Sequence, residues 1–159
     1  MNTILDPVFG EMSYQNGWIR AYHISFSGDD YCVQLFVQCG KASQIENAQR
    51  AAFLEFDKRR EVLLSQASIE LLKYYTRIYK GIRKRIGEDS ADNVAPAVRV
   101  ESELRKLVKP THVYVKRTFG SEERVVGLLF DCSWNSSGGL AVKFVDEEIE
   151  EVGSQDIVL

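Results

Sequence analysis

Val125-Val126-Gly127-Leu128-Leu129-Phe130-Asp131-Cys132-Ser133-Trp134, Asn135-Ser136-Ser137-Gly138-Gly139 and Leu140-Ala141-Val142-Lys143-Phe144-Val145 follow one another, and together they decide the fold. Residues 125–130 carry no polar side chain. A strand without alternation is one covered on both faces. Residues 135–139 supply polar, glycine-bearing turn chemistry, and residues 140–145 resume as the hairpin partner. Ahead of them, residues 111–117 alternate with Val113 and Val115 inward, and residues 152–159 close on a short apolar terminus. This predicts a C-terminal antiparallel sheet over residues 110–159.

The N-terminal forty residues show the other β pattern, strict alternation. Trp18, Tyr22, Ile24 and Phe26 fall on one parity, with His23 and Ser25 on the other. Arg20 interrupts the apolar parity, which predicts a place near a sheet edge. Ser27-Gly28-Asp29-Asp30 reads as a four-residue loop, after which Tyr31, Val33, Leu35 and Val37 restore an apolar face. Residues 9–14 followed by Asn16-Gly17 predict one more strand and turn, so residues 1–40 form a β-meander.

Between the two β regions the period changes to helical. Ser43-Gln44-Ile45-Glu46 matches a capping box with Ser43 as the cap. Ile45, Ala48, Ala52, Phe53 and Phe56 recur at helical spacing, and Leu64, Ala67, Leu71, Leu72, Tyr75, Ile78, Tyr79 and Ile82 restart the stripe beyond a charged interruption. Residues 43–87 therefore read as two helices, or one bent helix, ending near Gly87. Residues 88–96 are polar and aperiodic, the natural linker, and residues 101–108 predict a short helix stopped by Pro110. The expected class is α+β in a single domain: an N-terminal antiparallel meander, a central helical pair and a C-terminal antiparallel sheet. Whether the two sheets merge is open. The expected core comprises Phe26, Leu35, Phe53, Phe56, Leu71, Tyr75, Leu129, Phe130, Trp134, Val142 and Phe144.

Composition narrows the function classes. The 159 residues are 45% hydrophobic and 27% charged, which suits a globular chain rather than a disordered one. A net charge of −3 argues against general nucleic-acid binding, which needs a basic surface to neutralise phosphates. No run approaches the roughly 18 apolar residues of a membrane span, and residues 1–7 lack the basic and apolar regions of a secretion signal. The expected compartment is the cytoplasm. Three cysteines, Cys32, Cys39 and Cys132, are an odd number and read as reduced thiols. The odd spacing of Cys32 and Cys39 points them to opposite strand faces and away from a shared metal ion.

Chemistry-bearing patterns are few. There are two histidines, His23 and His112, and no Cys-x-x-Cys or His-x-x-x-His spacing, so no metal is expected. A phosphate-cradling glycine loop ahead of a helix is also missing, so no organic cofactor is expected. The sharpest enzymatic arrangement would use Cys132 as nucleophile, His112 as base and Asp131 to orient it. Against it, adjacent Asp131 and Cys132 point to opposite faces of a strand. Lys73, Arg77, Lys80 and Lys84 form a basic stripe opposite the apolar helix face, either a solvated surface or a phosphate track. Asp146, Glu147, Glu148, Glu150 and Glu151 form an acidic run, either a solvated turn or a contact for a cationic partner.

Two motif sets carry a resemblance. Asp6-Pro7-Val8-Phe9-Gly10 with Trp18, and Leu128-Leu129-Phe130-Asp131-Cys132-Ser133-Trp134 with Gly153-Ser154-Gln155-Asp156, resemble a family of uncharacterised bacterial proteins with D-x-x-F-G…W and L-F-D-C-x-W…V-G-x-Q-D segments. Such small proteins are often immunity-like neighbours of toxins. The resemblance thus implies a binding protein rather than an enzyme, and with the scarcity of catalytic groups the expected function is an immunity-like binder that neutralises a cognate bacterial toxin by occlusion. For a cationic toxin, Asp146, Glu147, Glu148, Glu150 and Glu151 are the expected contact, because they can imitate the phosphates such a protein binds. A cysteine-dependent enzyme using Cys132 with His112, and an adaptor subunit of a larger assembly, are the alternatives. Neither nucleic acid nor membrane is expected as a partner, and the oligomeric state is open.

Overall fold

The structure, a computed structural model, describes residues 2–159. Strands β1 (Thr3–Asp6), β2 (Gly10–Tyr14), β3 (Trp18–Phe26) and β4 (Asp29–Val37) precede helices α1 (Asn47–Lys58), α2 (Arg60–Ile86) and α3 (Glu88–Val94). Strands β5 (Val108–Val115), β6 (Val125–Cys132), β7 (Leu140–Val145) and β8 (Glu148–Gly153) complete the chain. The α+β class holds, and the two sheets are one. All eight strands follow sequence order in a single sheet. Every neighbouring pair is antiparallel except β4 and β5, which run parallel from Gln34↔His112 to Val37↔Val115. A parallel pair needs a long crossover, and the helices supply it. The seam is dry: Leu35, Val37, Val113 and Val115 are all fully buried.

The apolar parities of these strands face the helices. α1 buries Ala52, Phe53 and Phe56, and α2 buries Leu63, Leu64, Ala67, Leu71, Tyr75 and Ile82. Ring contacts bind the layers, with Phe53 5.1 Å from Phe9 and Phe56 5.8 Å from Phe144 between centroids, and Phe26 lies 5.1 Å from Phe130 within the sheet. Offset and edge-on aromatic pairs add to the burial of each ring. The charged break between the helical stripes falls at Arg59, whose φ of −110° ends α1 before α2 begins. Helix α2 touches both β3 and β8, so the sheet curls around it.

On the other face, Tyr114, Leu129 and Ala141 pack under Val158, with Phe36 and Ile157 at the margin. The chain's own C-terminus is therefore the second cover that the unbroken apolar run of β6 requires. Gly127 makes room for it: a Cβ there would collide with the Val158 side chain. Of the expected core, Trp134 alone is half-buried, its ring 5.0 Å from Tyr75.

Local chemistry corrects several boundaries. The β3–β4 loop is two residues long, because Ser27 and Gly28 both take positive φ as a type I′ hairpin turn requires. The cap of α1 is Glu46 rather than Ser43, with Gln49 Oε1 accepting the Glu46 N–H at 2.9 Å. The expected linker is helical: α3 buries Ala91, and Ala95 just beyond it is also buried. Residues 101–106 form a 3-10 turn, and Pro110 lies inside β5 beside an irregularity in its pairing with β6. Arg20 is on an interior strand, but β2 pairs with β3 only at Trp18 and Ile19, so that side of the strand is open from Arg20 onward. There its Nε donates to the Phe9 carbonyl at 2.6 Å, and its guanidinium lies 5.4 Å from the Phe53 ring.

Candidate functional site

The five acids of the sequence run divide between a turn and an edge strand. Asp146 and Glu147 are the two turn residues joining β7 to β8, with φ of 49° and 64°. Two non-glycine residues in the left-handed region disfavour this turn, and Arg124 compensates. Its Nε and Nη2 donate to the two Glu147 carboxylate oxygens at 2.8 and 2.9 Å. Its backbone N–H donates to Asp146 Oδ1 at 3.0 Å, while its carbonyl accepts the Asp146 N–H at 2.8 Å. The Glu147 side chain is only 8% exposed, so it serves the hairpin and not the solvent. Sequence reading passed over Arg124. Its signal is positional: the residue entering β6 stands opposite the residue leaving β7 in a hairpin.

Glu148, Glu150 and Glu151 are exposed along β8, the last strand of the sheet. Ile149 and Val152 turn inward against the core, and the pairing with β7 is irregular between Lys143 and Phe144. Lys143 takes Glu150 at 3.1 Å, whereas Glu148 and Glu151 make no ion pair among the described residues. Two open clefts lie between this edge and α2. One, of about 560 Å³, is lined by Arg59, Gln66, Ile69 and Glu70 against Glu147, Glu148 and Ile149. The other, of about 410 Å³, sets Lys73, Tyr74 and Arg77 against Glu150, Glu151 and Val152. The acidic run and the front half of the basic stripe, separate features in sequence, thus face each other across a groove. Lys80 and Lys84 continue along the helix as exposed residues.

The thiol and imidazole of the enzymatic alternative are not brought together. Cys132 belongs to the helix-side core, while His112 pairs with Leu129 of the opposite face. Burial pushes the Cys132 thiol above its usual value, with bonds near Asn135 and Trp134 opposing, which disfavours the thiolate. Burial pulls His112 below its usual value, and Asp131 opposes this. Its Nδ1 is 2.9 Å from Thr111 Oγ1. Cys32 is exposed on β4 and Cys39 is buried just beyond it, so the two thiols differ in burial as expected, although they do not share one strand, which ends at Val37. No group of three or more His, Cys, Asp and Glu side chains suited to a metal ion occurs among the described residues.

The two motif sets have structural work. Asp6 Oδ2 accepts the N–H groups of Val8 at 2.9 Å and Phe9 at 3.0 Å, which shapes the turn that sends Phe9 into the core and ends at Gly10 with φ of 80°. At the other end, Gln155 Nε2 donates to the Phe130 carbonyl at 2.9 Å and its N–H to the Gly138 carbonyl at 2.9 Å. Gly139, at φ of 62°, sits so close under the Gln155 amide that a Cβ would clash with it. The two motifs therefore pin the first hairpin and the C-terminal cover.

A family model described as "Domain of unknown function (DUF6985)" matches residues 8–159. The chain belongs to the DUF6985 family. No curated protein matches it, and no solved structure does. DUF6985 membership agrees with the resemblance to an uncharacterised family. No helix of the structure is long and apolar enough to cross a membrane.

Proposed function

We propose that this DUF6985 chain is a non-enzymatic binding protein of the immunity type, which neutralises a cognate bacterial toxin in the cytoplasm by occluding it. The observation that carries the reading is the acidic edge strand. Glu148 and Glu151 stand exposed on β8 and make no ion pair among the described residues, beside a groove open to solvent whose far wall carries Arg59, Lys73 and Arg77. Glu150 shares itself with Lys143, and Asp146 and Glu147 hold the hairpin in place, so the contact narrows to the strand acids. A cationic toxin that ordinarily binds phosphates would meet them as a substitute. Charges at the rim of an interface act mainly on association rate and its salt dependence.

The test is co-expression with the product of a toxin gene adjacent to this one. Protection and a complex are expected. The double change Glu148→Lys with Glu151→Lys should slow association by about tenfold or more and flatten its salt dependence. The absence of both protection and a complex would end the immunity reading. Full protection by the double variant, at unchanged association rate, would remove β8 as the contact.

A further inference from the structure

We infer that the loop between β5 and β6 is a docking surface, with Phe119 as its apolar anchor, for a protein segment that places an apolar side chain next to lysine or arginine. The inference rests on the binding reading above and supplies its apolar part, since the loop joins the acidic hairpin at Arg124.

Phe119 is 75% exposed and has φ of 54°. Among the described non-glycine residues with positive φ, namely Asn16, Ser27, Phe119, Asp146 and Glu147, it is the one aromatic. The ring does not shape this backbone by being buried. The Glu46 carboxylate does so from the start of α1, accepting the N–H of Thr118 at 2.8 Å and of Gly120 at 3.1 Å, on either side of the phenylalanine. Thr118 Oγ1 closes the loop by donating to the Ser121 carbonyl at 2.8 Å. Arg117 lies over the ring with its guanidinium carbon 4.7 Å from the centroid. A bulky side chain in a backbone that suits glycine or asparagine, held out into water by a fixed loop, is strained and solvated at once. Strain and exposure both oppose the fold, and the stacking of Arg117 on the ring is what offsets them. Both suit an anchor that is ordered before its partner arrives, because preorganisation lowers the ordering cost of binding.

The neighbouring surface completes the match. A cleft of about 530 Å³ separates the loop from α1, floored by Ala48 and Ala51 and walled by Glu46, Gly120, Ser121, Glu122 and Arg124. Small residues on an outward helix face leave room for an incoming side chain. Glu122 in its wall makes no ion pair among the described residues and Arg124 is neutralised by Glu147 and Asp146, so the lining is acidic. Arg117, also without an ion pair among the described residues, lies against the Phe119 ring and outside that lining. A lysine or arginine beside an apolar residue fits this cleft, while Phe119 enters the partner. Aromatic anchors of this kind dominate protein interfaces.

The experiment uses a random twelve-residue peptide library displayed on phage, panned on the whole immobilised chain. Recovered peptides are measured against wild type, Phe119→Asn and Ala48→Arg. Enriched sequences should pair an apolar residue with lysine or arginine, and should lose about tenfold or more in affinity for either variant. The melting temperature of Phe119→Asn should match or exceed that of wild type, because asparagine accepts positive φ more readily. A clear fall would show that the ring maintains the loop and would overturn the inference. So would peptides that bind Phe119→Asn unimpaired, or a failure to enrich any. A dimer split by Phe119→Asn would assign the surface to a second copy, and capture by phosphatidylglycerol vesicles lost in that variant would assign it to a membrane; each would overturn the inference too. Peptide binding with no toxin protection would refute the immunity reading and leave the docking surface standing.

Discussion

Asp6 has partners on both carboxylate oxygens. Oδ1 accepts Arg50 Nη2 at 2.7 Å, and Oδ2 accepts the N–H groups of Val8 and Phe9, with the side chain 3% exposed. Burial by itself would raise its pKa. Hydrogen bonding from Arg50, Phe9 and Val8, with the guanidinium charge, outweighs burial and holds the group below the ordinary carboxylate value. A folded pKa below the unfolded one stabilises the fold above the unfolded pKa, near 4, and loses that contribution as pH falls through the folded value. Asp6→Asn should cost about 1–3 kcal/mol at pH 7 by breaking charged hydrogen bonds, and the gap between wild type and variant should narrow as pH falls through the folded value. Urea unfolding at several pH values measures both, and a gap independent of pH would refute the assignment. The motif around Asp6 was visible in sequence, but its salt bridge was not. Arg50 lies far along the chain, and nothing local to either residue announces the other. The same holds for Arg124 and Glu147. The acids were legible as a run, but which of them the fold consumes depends on a cross-strand neighbour.

Elements whose signal is periodic were read well. The two helical stripes and the alternating strands β3 and β4 emerged where their patterns placed them. Elements defined by what covers them were not. β1 and β8 are short edge strands, and α3 is too polar to show a stripe; each gains its order from the neighbour it packs on. The covering of β6 was legible as a requirement, since residues 125–130 are all buried, but its source was hidden in the last residues of the chain. Gly127→Ala tests that source. The added methyl must displace Val158, and overpacking of this kind typically costs about 1–3 kcal/mol. Val158→Ala alone should cost a similar amount by leaving a cavity, and combining the two should cost less than their sum, because the smaller residue 158 accommodates the methyl. Urea midpoints of the four chains decide it. Strict additivity would mean that the two side chains do not meet.

At the scale of the molecule, the parallel pairing of β4 with β5 makes one sheet of the two β regions, so they should unfold together. Trp18 in β3 and Trp134 beyond β6 report on the two halves. Fluorescence of Trp18→Phe and Trp134→Phe should each give a single transition that coincides with the loss of helical circular dichroism in the same variant. Fluorescence and circular dichroism transitions that separate would show two independent units. The seam also has a history in every molecule synthesised. β4 ends at Val37 and its parallel neighbour opens at Val108, so the ribosome delivers the meander well before the strand that must dock beside it. At roughly 5–20 residues per second the wait lasts on the order of several seconds. Throughout that interval the nascent chain carries an open, apolar strand edge that will pair with any compatible neighbour. The vulnerable moment in the life of this protein is thus a period of translation, and the helices emerging meanwhile are its first shelter.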